Sequence, residues 1–207
     1  GAINPPGAIK PGTVGKPLPG MEARIMEDGE ILMRGPMIMK GYRGDPKQTA
    51  EAIDADGWLH TGDLGAIDED GYLRIIGRKK DIIINASGKN MSPIAIEAAI
   101  KSESPLIGHA VAIGDARPYN VALIVLDPEG AAGVDPAAPE TLRLVGEAIE
   151  RANARLSRVE QIKRFRILPG DWPPGGDELT PTHKLKRKPI SEKYAREIDE
   201  IYAGPGN

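Results

Sequence analysis

The hydrophobic pattern along the chain changes character once. Over the first third it is short and alternating: "MEARIM" and "ILMRG" flank an Asp28-Gly29 turn, and "GWLHTGDLGAI" and "YLRIIG" flank an Asp70-Gly71 turn. Runs of period two interrupted by Asp-Gly predict two β-hairpins. Between them, "DPKQTAEAI" opens with Asp45 and Pro46, a capping residue and one preset for the first helical turn, which predicts a short helix. Residues 1–20, with five prolines and five glycines, read as an extended lead-in. A small, mostly β unit is therefore expected over residues 13–77.

Beyond "GRKKD" the runs lengthen. "IIIN" reads as a short buried strand, and Ser92-Pro93 opens a helix to about Ser102. "HAVAIG" and "VALIVL" read as strands joined by "DARPYN". An amphipathic helix is expected from about Glu140 to Ser157, then a strand at "KRFRIL", a Pro/Gly-rich loop, and a last helix from Ser191 to Tyr202. The predicted fold class is α+β: a β unit over residues 1–78, then a compact α+β unit over 79–207 with three or four strands and three helices. The change falls at Arg78–Lys80, a short charged connection that suits a hinge better than a tether.

Composition narrows the classes. With 207 residues, the chain can bury a real core in one large or two small domains. The net charge of −3 supplies no global field toward nucleic acid or anionic lipid, and one Phe, two Trp and five Tyr are too few for a base-stacking platform. No specific nucleic-acid partner is expected. The absence of cysteine excludes disulfides, thiolate catalysis and zinc–sulfur sites, and fits a reducing compartment. The first residues lack the charged and apolar regions of a signal peptide, and position 1 is Gly rather than Met, so a piece of something longer is expected.

Four stretches carry candidate chemistry. In "WLHTGDL", Asp63 follows a glycine at an expected strand end; alone it reads as a turn residue, but its two oxygens also suit a vicinal diol such as a ribose. In "GRKKD", Arg78 has a planar, always-charged fork suited to a phosphate or ribose, although most short basic runs are solvated surface. "INASGKNMSPIAIE" places Gly88 in a loop where backbone can approach a ligand. "LTPTHKLKRK" carries Lys184 behind two threonines and a proline. His60, His109 and His183 are scattered without metal-ligand spacing, so no protein-held metal is expected.

Taken together, "W-x-x-T-G-D-L", "G-x-x-x-x-x-G-R-x-K-D", a glycine loop before a helix, and "T-P-T-x-K-x-K-R" resemble the adenylate-forming superfamily of acyl-CoA synthetases, luciferases and peptide-synthetase adenylation domains. "GRKKDIIINASGKNMSP", "RPYNVALIVLDPE" and "LTPTHKLKRK" are most similar to its long-chain fatty acyl-CoA synthetase branch, and the resemblance covers essentially the whole chain. The superfamily's phosphate loop and central Tyr-Gly-x-Thr-Glu motif are not in this sequence. The resemblance thus implies a C-terminal piece: a β-barrel-like remnant of the large adenylating domain over 1–78, then the mobile lid over 79–207.

The same resemblance implies ATP with its Mg2+, CoA as acceptor, and a fatty acid as substrate. Lys184 would be the catalytic cation, Asp63 would hold the ribose, and Arg78 the ribose or phosphate. Lys80 would be the hinge, and Gly88 would line the CoA pantetheine channel. Lys186, Arg187 and Lys188 would face solvent or bridge to the other domain. His183 stands where many relatives have Gly, and no second catalytic lysine is assigned near Ile84 or Asn85. The expected partner in the same polypeptide is the missing N-terminal large domain, without which the fragment would be inactive. A cytoplasmic location is expected, with peripheral membrane contact left open. Two other readings stand beside this one: a fatty acyl-AMP ligase loading a carrier protein, and a non-catalytic module that interacts through its basic loops.

Overall fold

A computed structural model describes residues 1–204. The chain divides into two compact units, Gly1–Lys80 and Asp81–Asn207.

In the first unit, β1 (Ala2–Ile3) and β2 (Lys16–Pro17) pair within the Pro/Gly-rich lead-in. The main sheet is antiparallel, in the order β3 (Glu22–Ile25), β4 (Glu30–Arg34), β5 (Leu59–Ile67), β6 (Leu73–Arg78). Both expected hairpins form, closing with Ile25 opposite Ile31 and Ile67 opposite Leu73. The first helix, α1 (Pro46–Ala52), begins where Asp45 accepts the Gln48 N–H at 2.8 Å. β4 lies inside the sheet, and Glu30 through Met33 are buried on both faces. Met21, Ile31, Met33 and Leu73 form the core.

The second unit is built on a three-stranded sheet of order β11 (Ile162–Leu168), β10 (Asn120–Leu126), β9 (Ile107–Ile113). β9 and β10 are antiparallel, whereas β10 and β11 are parallel, which requires a crossover. That crossover holds α3 (Pro139–Asn153). All seven residues of β10 are buried because both faces of this central strand are covered. Ala122, Ile124 and Leu126 pack with α2 (Pro93–Lys101) and α3 through Ile96, Ile100, Val145 and Ile149. Val121, Leu123 and Val125 face the other way, onto Trp172, Leu179, Ile190, Ile198 and Ile201. Alternation along one strand thus separates two cores.

Local expectations and structure part in three places. "IIIN" gives only the two-residue β7 (Ile83–Ile84), paired with β8 (Asn90–Met91); Ile83 is buried but Ile84 is exposed. α3 stops at Asn153 rather than Ser157, because the Asn153 amide turns aside to bond both the N–H and the C=O of Ile162 at 2.9 Å. The single last helix is two, α4 (Arg187–Lys193) and α5 (Ala195–Ala203), broken where Tyr194 is held by side-chain bonds. Among the described residues this unit therefore has five strands and four helices rather than three or four strands and three helices. No helix among them is long and apolar enough to cross a membrane.

Candidate functional site

Asp63 lies not at a strand end, as expected, but within β5. The β4–β5 register pairs Leu32 with His60 and Glu30 with Leu64, so Thr61, Gly62 and Asp63 bulge out opposite Ile31 alone. The bulge is built by its residue types. The Thr61 hydroxyl donates to the Ile31 carbonyl at 2.7 Å and accepts the Asp63 N–H at 3.1 Å. Gly62 takes φ 68°, a left-handed conformation that costs glycine little. Its N–H donates to the Glu30 carboxylate at 3.0 Å. The β5–β6 register sets Asp63 opposite Arg78, and Arg78 Nε stands 3.1 Å from Asp63 Oδ1. The two residues singled out for nucleotide contact thus meet. Gly62, Arg78, Lys79 and Lys80 line a shallow pocket of about 300 Å³.

Glu30 was missed by sequence reading. It is buried, yet beside the Gly62 N–H it receives Lys79 Nζ at 3.0 Å, with His60 Nδ1 at 3.3 Å. Burial pushes this carboxyl up, but Lys79, the Gly62 amide and His60 outweigh it and hold it below the usual carboxylate range. Lys79 also bonds Asp28 at 2.6 Å, and Asp28 and Glu30 together raise its pKa. In the sequence Glu30 is only the acid after an Asp-Gly turn, and nothing local marks it as buried.

In the second unit, Gly88 sits in the turn between β7 and β8 with φ 74°. The Asn85 side chain accepts the Ser87 and Lys89 N–H groups at 3.0 Å, and Gly88 N–H donates to the Asn85 carbonyl at 2.9 Å. A Cβ on Gly88 would meet nothing within 4 Å, so the demand for glycine here is its backbone angle. The turn is fastened by Ala116 N–H to Ile84 O at 2.8 Å and Ala86 N–H to Arg117 O at 3.0 Å.

"LTPTHKLKRK" is a small hairpin. Lys186 N–H donates to Glu178 O at 2.7 Å, Leu179 bridges Leu185, and Thr180 N–H donates to Lys184 O at 2.8 Å. His183 N–H returns to Thr180 O at 2.9 Å across Pro181 and Thr182, and His183 takes φ 59°. This is a three-residue loop closed by a left-handed residue, the position glycine fills most easily. Lys184 follows it, its N–H held by Thr180 Oγ1 at 3.0 Å. Its ammonium is exposed and has no partner among the described residues.

The neighbouring cations differ. Lys186 Nζ donates to Gly176 O at 2.8 Å, and Lys188 is exposed, 3.9 Å from Glu192. Arg187 corrects the expectation that it faces solvent or another domain: it forks onto both oxygens of Glu97 at 2.7 Å within its own unit. Glu97 is buried and also accepts the Ala112 N–H at 2.9 Å. The hairpin and the Gly88 turn are rooted in different cores. Leu179 and Leu185 belong with Val121, Leu123 and Val125, whereas Ile83 and Met91 belong with Ala122 and Ile124. They therefore hang from opposite faces of one sheet. Among the described residues no three His, Asp or Glu side chains cluster as a metal site.

The first unit thus offers a glycine-bent bulge with a paired acid and arginine, and the second a hairpin lysine whose ammonium has no partner among the described residues. The chain belongs to the AMP-binding enzyme C-terminal domain family, whose model matches residues 80–205. It is 57% identical over 204 residues to fadD11 of Mycobacterium tuberculosis, named as a fatty-acid–CoA ligase, covering 93% of this chain and 36% of that protein. It is 46% identical over 208 residues to the long-chain-fatty-acid–CoA ligase FadD15 of the same species, covering 94% of this chain and 34% of that protein. Among solved structures, the Bacillus subtilis o-succinylbenzoate CoA synthetase in complex with its acyl-adenylate intermediate is similar at TM-score 0.68 and 28% identity, over 86% of this chain and 35% of that one. The chain thus spans about a third of the length of the curated relatives it matches.

Proposed function

We propose that this chain is the C-terminal portion of an ATP-dependent long-chain fatty-acid–CoA ligase, working with a large domain of the same polypeptide and inactive without it. In the first half-reaction a fatty carboxylate oxygen attacks the α-phosphorus of ATP, the bond to the bridging oxygen breaks, and pyrophosphate leaves. In the second, the CoA sulfur attacks the acyl carbon, its proton is lost, and AMP leaves with the former carboxylate oxygen. The first step brings two anions together, and a placed cation is the remedy.

The observation that carries this reading is that, in a run of basic residues, Lys184 alone stands just past the loop of a hydrogen-bonded hairpin with an unengaged ammonium, while Lys186 and Arg187 are tied down. An ammonium is a compact charge with three donors, able to touch carboxylate and phosphate together. In the same reading Asp63 offers carboxylate oxygen to the ribose hydroxyls. Arg78, about half exposed beside it, donates to the ribose or phosphate. Magnesium comes with ATP and is held mainly by its phosphates. Lys80 ends the first unit and is proposed as the hinge. The Gly88 turn, on the opposite face from the lysine hairpin, is proposed to line the pantetheine channel in the second step. Placement on opposite faces supports their use in alternation rather than together.

The test is Lys184→Ala in the intact enzyme. Acyl-AMP formation, read by pyrophosphate exchange, is expected to fall by about 10²–10³-fold, as on loss of an oxyanion donor. Transfer to CoA from supplied acyl-AMP should be affected far less. Equal losses in both steps would contradict the assignment.

A further inference from the structure

The hairpin that presents Lys184 rests on a polar anchor that no step above uses. Glu178, at its foot, is buried, and its carboxylate accepts Lys193 Nζ at 2.7 Å and the Tyr194 hydroxyl at 2.9 Å. The same hydroxyl accepts the Trp172 Nε1–H at 3.1 Å. Trp172 is buried, and its ring stacks with those of His109 and Tyr194 at centroid distances of 5.8 and 5.9 Å. Tyr194 sits at the break between α4 and α5 and belongs to the core that holds Leu179 and Leu185. Glu178 serves twice: its carbonyl closes the hairpin onto Lys186, and its side chain fastens that foot to the helix junction.

We propose that the Tyr194 hydroxyl, acting through Glu178, is the positioning device that sets where the Lys184 ammonium lies in the first half-reaction. This rests on the assignment of Lys184 above. The internal bonds of the hairpin make it a rigid tab, so its tip can err chiefly by tilting at the foot. Lys184 lies two extended residue steps from that foot, and with its side chain this makes a lever of about 13 Å, so a tilt of about 4° moves the ammonium by about 1 Å. A displacement of that size costs about 10²-fold where a reaction depends on a placed group. A buried carboxylate with two donors, one of them a fixed phenol, resists such tilting better than apolar packing, because hydrogen bonds are directional.

The experiment is a double-mutant cycle in the intact enzyme, with each half-reaction measured in single turnovers. Tyr194→Phe removes one oxygen and keeps the ring. It is expected to lower acyl-AMP formation by about 10–10²-fold, to leave transfer from supplied acyl-AMP nearly unchanged, and to cause no further loss when added to Lys184→Ala. Glu178→Gln, which keeps an acceptor for the phenol, should lose less than Glu178→Ala; this pair stands as the second test if Tyr194→Phe does not fold. The inference is overturned if Tyr194→Phe adenylates normally, slows both half-reactions alike, or multiplies its loss onto Lys184→Ala. A Lys184→Ala enzyme that adenylates normally overturns the lysine assignment beneath it, whatever Tyr194 does.

Discussion

At the scale of single residues, the candidate site residues are set by backbone angles that few side chains tolerate. Gly62 and Gly88 occupy such angles at no steric cost, and His183 does so without being glycine. A left-handed residue with a Cβ costs about 1–2 kcal/mol, least for short polar side chains. His183→Gly is expected to leave folding stability within about 1 kcal/mol, since relief of strain is offset by the greater freedom of glycine in the unfolded chain. His183→Val, branched at Cβ, should lose about 1–2 kcal/mol and blur the position of Lys184. Thermal denaturation of both variants beside pyrophosphate exchange checks this; a Val variant as stable and active as the parent would show that the angle carries no strain. His183 closes the three-residue hairpin loop at a positive φ, the backbone angle that glycine adopts most easily.

At the scale of elements, the edge of the second sheet is managed by an ion pair. β9 is an edge strand, and its Ala112 N–H, turned away from β10, is taken by Glu97 of α2, which Arg187 of α4 grips from the other side of the sheet. The pair joins the two faces around a strand whose free edge would otherwise offer itself to another chain. Burial raises the Glu97 carboxyl above its usual range even against Arg187 and the Ala112 amide. Arg187→Met removes that opposition and is expected to cost about 3–5 kcal/mol at neutral pH. A carboxyl with a raised folded pKa binds its proton more tightly when folded, so its contribution to stability falls as pH rises through that window. The deficit of Arg187→Met should therefore shrink in mild acid. Adding Glu97→Leu should restore most of it, and urea unfolding at two pH values reads both effects. A deficit independent of pH would mean that Glu97 is not the group left stranded.

At the scale of the molecule, each unit carries a buried carboxylate held ionised by a lysine: Glu30 with Lys79, and Glu178 with Lys193. In both, burial pushes the pKa up and the lysine and hydrogen bonds push it lower still than the usual range. A depressed folded pKa gives stability that is present above the unfolded value and is lost as pH falls through the folded one. Both units are expected to weaken in acid. Trp58 and Trp172, one in each unit, report them separately through Trp58→Phe and Trp172→Phe variants. Lys193→Met should flatten the acid dependence seen by Trp172 and leave that seen by Trp58; a change in both signals would sink the assignment of the effect to Glu178.

What the sequence determined by itself was whatever is written in short range. The two Asp-Gly turns and the Asp45 and Ser92 caps depend on residues a few places apart, and each appears where it was expected. Asp63 and Arg78 were legible as candidates for the same reason, and the hairpin register then set them opposite one another. The long-range partners were decided by the tertiary structure alone. Glu30 meets Gly62 from 32 residues away, Arg187 meets Glu97 from 90, and Tyr194 reaches back to Trp172 across 22. A buried charge and a solvated one are spelled with the same letter. Which it becomes is set by what the rest of the chain packs around it, and in this protein that packing leaves Lys184 bare while it ties down Arg187, three residues away.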